Sequence, residues 1–182
     1  LLRDHIGGRR VPGDIEQGWR WCMQCQGLYL ASDTRGICPV RPQSRPGGIP
    51  AMVIGPHKES GSGQYKLFHA HAGGCVQTGW TRCGRCHGLY FGQGGRTGCC
   101  PAGSGGHKST GAHYQIHTCN AQGGQDGWRW CKKCEGMFFS LNGTSACPAG
   151  TVLTKGAVLR LPDGTPISLV IECYTKGILP AQ

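Results

Sequence analysis

Nine of the thirteen cysteines recur in one pattern. Pairs separated by two residues stand at Cys22/Cys25, Cys83/Cys86 and Cys131/Cys134, and each pair is followed by a third cysteine before a proline, at Cys38, Cys100 and Cys147. Two intervening residues allow one tight turn to aim both sulfurs at a point, and a ribbon-type zinc site then takes two more ligands from a distant segment. The third cysteine supplies one. His57, in Pro56-His57-Lys58, and His107, in Gly106-His107-Lys108, stand in register to supply the other. The expected sites are therefore Cys22, Cys25, Cys38 and His57, and Cys83, Cys86, Cys100 and His107. In the third copy Thr154-Lys155 replaces His-Lys, and no histidine follows Cys134. Either Cys131, Cys134 and Cys147 form a degenerate site or Cys173 completes it. The glycine two places after each second cysteine (Gly27, Gly88, Gly136) is expected to adopt positive φ and bend the chain around the metal.

The competing use of such cysteines is a disulfide framework. Three per copy is an odd number, and a histidine in register serves a metal site but not a disulfide. Iron–sulfur clusters usually take four cysteines. The expected cofactor is Zn²⁺, two to three ions. Cys75, Cys99, Cys119 and Cys173 lie outside the pattern and stand either as bridges or as buried thiols. Cys99 and Cys100 are adjacent, and only Cys100 carries the Cys-Pro signature, so Cys100 is taken as the ligand.

The elements that would position these ligands read as β. Trp19-Arg20-Trp21 and Leu28-Tyr29-Leu30 flank the first pair as the arms of a hairpin, and the same holds around the other two. A later run supplies a third strand to each copy: Gln64–Leu67, Tyr114–Ile116 and Val158–Leu161. Pro162-Asp163-Gly164-Thr165 is a turn signal, so Val158–Leu161 and Ile167–Ile171 are expected to close the chain as a hairpin. No helical periodicity of useful length occurs. The expected fold is all-β and metal-stapled: three tandem zinc-ribbon-like β-hairpin repeats at 18–72, 76–118 and 127–173, after an N-terminal arm at 1–17. The extra length of the first repeat, Val40–Pro56, reads as loop because it holds Pro42, Pro46 and Pro50.

Composition agrees with a stapled chain. Hydrophobic residues other than glycine are 38% of 182, and a further 33 residues are glycine, which adds chain length without apolar bulk. Thin cores of this kind rely on metal or disulfide cross-links. The net charge of +10 comes from scarce acids, nine Asp and Glu in all. Three thiolates against one divalent ion leave one negative charge per site, so three zinc sites would lower the net charge to about +7. Anionic partners suit that balance. No apolar run approaches the ~20 residues of a membrane span, and the start at Leu1 is read as a processed end or one lying beyond this sequence.

Other chemistry is weakly represented. His69-Ala70-His71 puts two rings on one strand face without a nearby carboxylate. An open three-cysteine zinc would be a poor electrophile, and there is no nucleophile elbow, phosphate loop or carboxylate pair. The expectation is no enzymatic activity. Trp19 with Trp21, Trp80 with Arg82, and Trp128 with Trp130 alternate along their strands, so each pair shares a face. There they either stack on sugars or bases or fill the core; Arg20, Arg85, Arg129, Lys132 and Lys133 would add contacts to phosphates or acidic glycans.

The units Trp-x-Trp-Cys-x-x-Cys-x-Gly-[Leu/Met]-[Tyr/Phe]-[Leu/Phe], with Cys-Pro-Ala-Gly at 100–103 and 147–150 and His107-Lys108, resemble a tandem cysteine-knuckle repeat of bacterial, often secreted, proteins. The resemblance covers most of 18–161 and brings no settled activity. It implies that the nine repeat cysteines, with His57 and His107, are the shared ligands, and that the chain works outside the cell or at its surface. The leading expectation is a non-enzymatic module that recognises a surface polymer or glycan, or assembles with copies of itself. The alternatives are a cytoplasmic zinc-ribbon protein binding nucleic acid and a structural subunit of a larger particle or filament.

Overall fold

A computed structural model describes residues 15–31, 34–39, 55–69, 76–103, 105–118, 124–142, 145–148, 152–153, 159–160, 166–167 and 169–175. Residues 1–14 of the expected arm, the loop at 40–54, Cys75, Cys119, Thr154-Lys155 and the turn at 162–165 lie outside them.

The fold is nearly all β. The strands are β1 (Ile15–Trp21), β2 (Leu28–Leu30), β3 (Gln64–Phe68), β4 (Val76–Cys83), β5 (Leu89–Phe91), β6 (Ser109–His117), β7 (Gly124–Trp130), β8 (Met137–Phe139), β9 (Ser145–Ala146), β10 (Val152–Leu153), β11 (Leu159–Arg160), β12 (Pro166–Ile167) and β13 (Leu169–Thr175). The helical content among the described residues is one 3-10 turn at Gln93–Gly95. None of it is long and apolar enough to cross a membrane.

Each knuckle caps a short antiparallel hairpin, and the three share one register: Trp19 faces Leu30, Trp80 faces Phe91 and Trp128 faces Phe139. A third strand flanks each hairpin. β3 pairs with β1 through Trp19 and Tyr65, and β6 pairs with β4 through Trp80 and Tyr114. In the third unit this place belongs to β13, whose Leu169 pairs with Trp128. That corrects the expectation for Val158–Leu161. Leu159 and Arg160 pair with Ile167 and Pro166, a shortened form of the expected closing hairpin. A seven-residue strand is long enough to lie against two neighbours at once, and β13 also pairs with β3 through Glu172–Lys66 and Cys173–Tyr65.

The units close into a ring at two levels. The third strands meet one another, through Phe68–Gln115, Val170–His117 and the β13–β3 ladder. Near the knuckles, Leu30 N donates to His87 O, Phe91 N to Glu135 O and Phe139 N to Gln26 O, at 3.0, 2.8 and 2.8 Å. These three bonds run from the first unit to the second, the second to the third and the third to the first. They give the molecule pseudo-threefold order.

The apolar core lies inside this ring. Trp19, Trp80 and Trp128 are fully buried, with Leu28, Leu30, Leu89, Met137, Phe139, Tyr65, Tyr114 and Ile116 around them. Their rings meet edge to face, Trp19 on Tyr114 at 5.2 Å and Trp128 on Tyr65 at 5.5 Å, the arrangement favoured by aromatic quadrupoles. Each of these contacts joins two units, so the core belongs to the ring and not to one repeat.

Candidate metal centres

Every knuckle is built by the same two backbone bonds. The amide of the first cysteine donates to the glycine carbonyl five residues on, and the amide four residues on returns to that cysteine's carbonyl. The pairs are Cys22–Gly27 with Gln26–Cys22, Cys83–Gly88 with His87–Cys83, and Cys131–Gly136 with Glu135–Cys131. The left-handed residue is the one before the glycine: Gln26, His87 and Glu135 have φ of 61°, 63° and 61°. This corrects the expectation for Gly27, Gly88 and Gly136. A Cβ at Gly27 would stand a tight 3.2 Å from Cys25 Sγ, whereas one at Gly88 or Gly136 would meet the second cysteine's sulfur at 3.5 Å, an ordinary contact. The left-handed residue is held by its side chain in two copies, Gln26 Oε1 accepting from Trp21 Nε1 at 3.0 Å and Glu135 Oε2 from Trp130 Nε1 at 2.6 Å.

The knuckles bring together Cys22, Cys25, Cys38 and His57; Cys83, Cys86, Cys100 and His107; and Cys131, Cys134 and Cys147. All are buried, and within each group the ligand atoms lie within 4.8 Å of one another. First and third cysteine sulfurs are 3.8 Å apart in all three groups. Cys25 Sγ is 3.5 Å from His57 Nδ1, and Cys86 Sγ is 3.4 Å from His107 Nδ1. A tetrahedron with Zn–S of about 2.3 Å and Zn–N of about 2.0–2.1 Å has edges of about 3.8 Å between sulfurs and about 3.5 Å between sulfur and nitrogen. The donor atoms therefore fit a tetrahedral ion, and the sulfur pairs stand far beyond the ~2.05 Å of a disulfide.

Each histidine is oriented from its far side. His57 Nε2 lies 3.3 Å from Cys86 O and His107 Nε2 lies 3.1 Å from Cys134 O. A proton on Nε2 satisfies these carbonyls and leaves Nδ1 unprotonated toward the sulfurs, the outer-sphere pattern that fixes a metal-binding tautomer. Tyr29 and Tyr90 stack on the two imidazoles at 4.3 and 4.6 Å. The third unit has Phe138 at that position. Because the accepting carbonyl belongs to the next knuckle, each histidine also joins two units.

The thiols are electrostatically coupled. Hydrogen bonds from Cys25 and Cys38 push Cys22 toward thiolate, those from Cys100 and Cys86 do so for Cys83, and one from Cys134 lowers Cys131. Their neighbours Cys25, Cys86 and Cys134 are raised, chiefly by Cys22, Cys100 and Cys131 respectively. Burial depresses the His107 imidazole, but hydrogen bonds with Cys100 and Cys83 outweigh it and raise the pKa to about 9. A cluster that concentrates negative charge in this way is suited to a cation.

Cys173, the residue expected to complete the third group, lies on β13 beside Glu172. Glu172 pairs with Gly124 at the start of β7, whereas Cys131 follows its end, seven residues on.

The aromatic residues expected at a stacking surface are placed elsewhere. Trp19, Trp21, Trp80 and Trp128 are buried, and Trp130 is half-buried beside the core, with the Arg96 guanidinium 6.0 Å from its ring. Arg82 is half-buried in β4. Alternation along a strand marks one face without saying whether that face meets core or solvent, and here it meets the core. Arg20 and Arg129 cap the carbonyls of Trp19 and Trp128, and Arg85 that of Ala102. Lys132 and Lys133 are exposed. His69 stacks on Tyr114 and bonds to His113 O. No protein-family model, curated protein or solved structure matches the chain.

Proposed function

We propose that the chain is a non-enzymatic module held closed by three structural zinc ions, working outside the cell or at its surface through contacts with an acidic surface polymer. The observation that carries the structural role is the closed donor set of the first two clusters. Four buried protein donors surround each point, and the histidine's second nitrogen is engaged by a neighbouring backbone carbonyl. A catalytic zinc needs an open position for water or substrate, and these sets leave none. Sulfur-rich tetrahedral donors favour zinc over magnesium or calcium.

Surface charge, and not the buried tryptophans, supports a polymer partner. Lys58, Lys108, Lys132 and Lys133 are exposed beside the three knuckles, and none is in an ion pair among the described residues. Cations repeated around a ring suit a repeating anion, where weak contacts combine through effective concentration.

Binding of the zinc-loaded chain to heparin and to duplex DNA, each over a salt series, tests this. Retention on heparin above the salt that releases DNA is the expected result, with K132E/K133E weakening retention by at least tenfold. Tighter, steeply salt-dependent DNA binding would favour the nucleic-acid reading. Binding to neither, with concentration-dependent growth in sedimentation, would favour self-assembly.

A further inference from the structure

The residue before the third cysteine is Ile37, Cys99 and Ala146 in the three units. In the first two it packs on the cluster of the next unit and not on its own. Ile37 lies against Cys83, Cys86, Tyr90 and Cys100, and Cys99 lies against Cys131, Cys134, Phe138 and Cys147. The glycines before them make the approach possible. A Cβ at Gly36 would fall 2.1 Å from Cys86 O and one at Gly98 would fall 2.3 Å from Cys134 O. The same backbone path therefore delivers an isoleucine to the second cluster and a thiol to the third.

The two clusters differ in what they need there. The second has four donors including His107, and an apolar side chain covers it. The third has three sulfurs among the described residues, and the sequence holds no histidine beyond Cys134. Resting on the zinc reading above, we propose that Cys99 is the fourth ligand of the third cluster. Cys99, Cys131, Cys134 and Cys147 then form a four-thiolate zinc site shared between the second and third units.

Cys99 is half-buried, in contact with the triad but outside the group of donors that lie within 4.8 Å of one another, so ligation requires its side chain to turn toward the metal. On binding, the thiol proton passes to solvent and the Zn–S bond forms without any redox change. Four thiolates and one divalent ion leave two negative charges, one more than at the other sites. The third knuckle is also the one with two lysines between its cysteines, where the others have Met23-Gln24 and Gly84-Arg85. Exposed Lys132 and Lys133 offset that extra charge.

The test is cobalt loading of the reduced full chain, wild type against Cys99→Ile, the side chain already tolerated at position 37. The sulfur-to-cobalt absorption at saturation should correspond to ten Co–S bonds in the wild type and nine or fewer in the variant. The weakest of three cobalt-binding steps should weaken by at least 100-fold. On the zinc-loaded wild type, Cys99 should resist iodoacetamide until chelator is added, a readout that does not depend on the variant folding. Unchanged absorption and affinity in Cys99→Ile, or rapid alkylation of Cys99 with three zinc ions retained, would overturn the assignment and leave three zinc sites standing. A wild type that binds only two ions, with Cys131, Cys134 and Cys147 open to alkylation, would overturn zinc at that cluster as well.

Discussion

Single side chains here serve two units at once. His57 offers Nδ1 to its own sulfurs and presents Nε2 to Cys86 O of the next knuckle. Its replacement by alanine removes a ligand together with one of the two hydrogen bonds to the Cys86 carbonyl, which keeps the one from Ile37 N. Outer-sphere partners alone are typically worth about 10–100-fold in metal affinity, so His57→Ala should weaken one zinc site by more than that range, measured by competition with a chromophoric chelator. Gly98 has φ of 52° and no room for a methyl group beside Cys134 O. Gly98→Ala should destabilise the protein by about 2–4 kcal/mol in urea denaturation, from strain and backbone overlap together. Trp80 separates the core reading from the surface reading. Trp80→Ala should cost about 3–5 kcal/mol of stability, while heparin binding per folded molecule stays unchanged. The nine repeat cysteines and two histidines were legible in the sequence because metal-ligand spacing is set locally by turn geometry. Cys99 was not, because its significance depends on which cluster it reaches, a contact made across units.

At the scale of elements, the knuckle hairpins were legible and the way they join was not. Aromatic and apolar runs around each Cys-x-x-Cys announce two strands, and the shared register of Trp19, Trp80 and Trp128 follows from the repeated motif. The burial of those tryptophans escaped the sequence because one strand face looks the same whether solvent or another unit covers it. Ile167–Ile171 reads as a strand, but the partners of β13 escaped because it completes the third unit from beyond an intervening hairpin and pairs with strands of all three units. A short run such as Leu159–Arg160 carries the same β signal with far less to pair against. Deleting 169–175 would strip partners from β3, β6 and β7 and expose their edges. The truncated chain should form aggregates or a loosely packed state, seen as loss of the near-UV circular dichroism of the buried tryptophans.

The whole molecule is a ring of three repeats and not a row. A row would unfold unit by unit, each repeat contributing its own stability and nearest-neighbour terms. Here the aromatic contacts, the knuckle-to-knuckle amide bonds and the histidine bridges all cross between units. Loss of one site should therefore weaken the others, and thermal unfolding of the zinc-loaded chain should be a single transition with coincident tryptophan and far-UV signals. The account stands on metal at the three thiol clusters, and native mass spectrometry of the purified chain, before and after chelation, tests that most directly. It should find three zinc ions on a monomer whose nine repeat cysteines are all reduced, with loss of the ions accompanied by a shift to the high charge states of an unfolded chain. A metal-free mass, or the loss of two mass units for each of several disulfides among those cysteines, would contradict it.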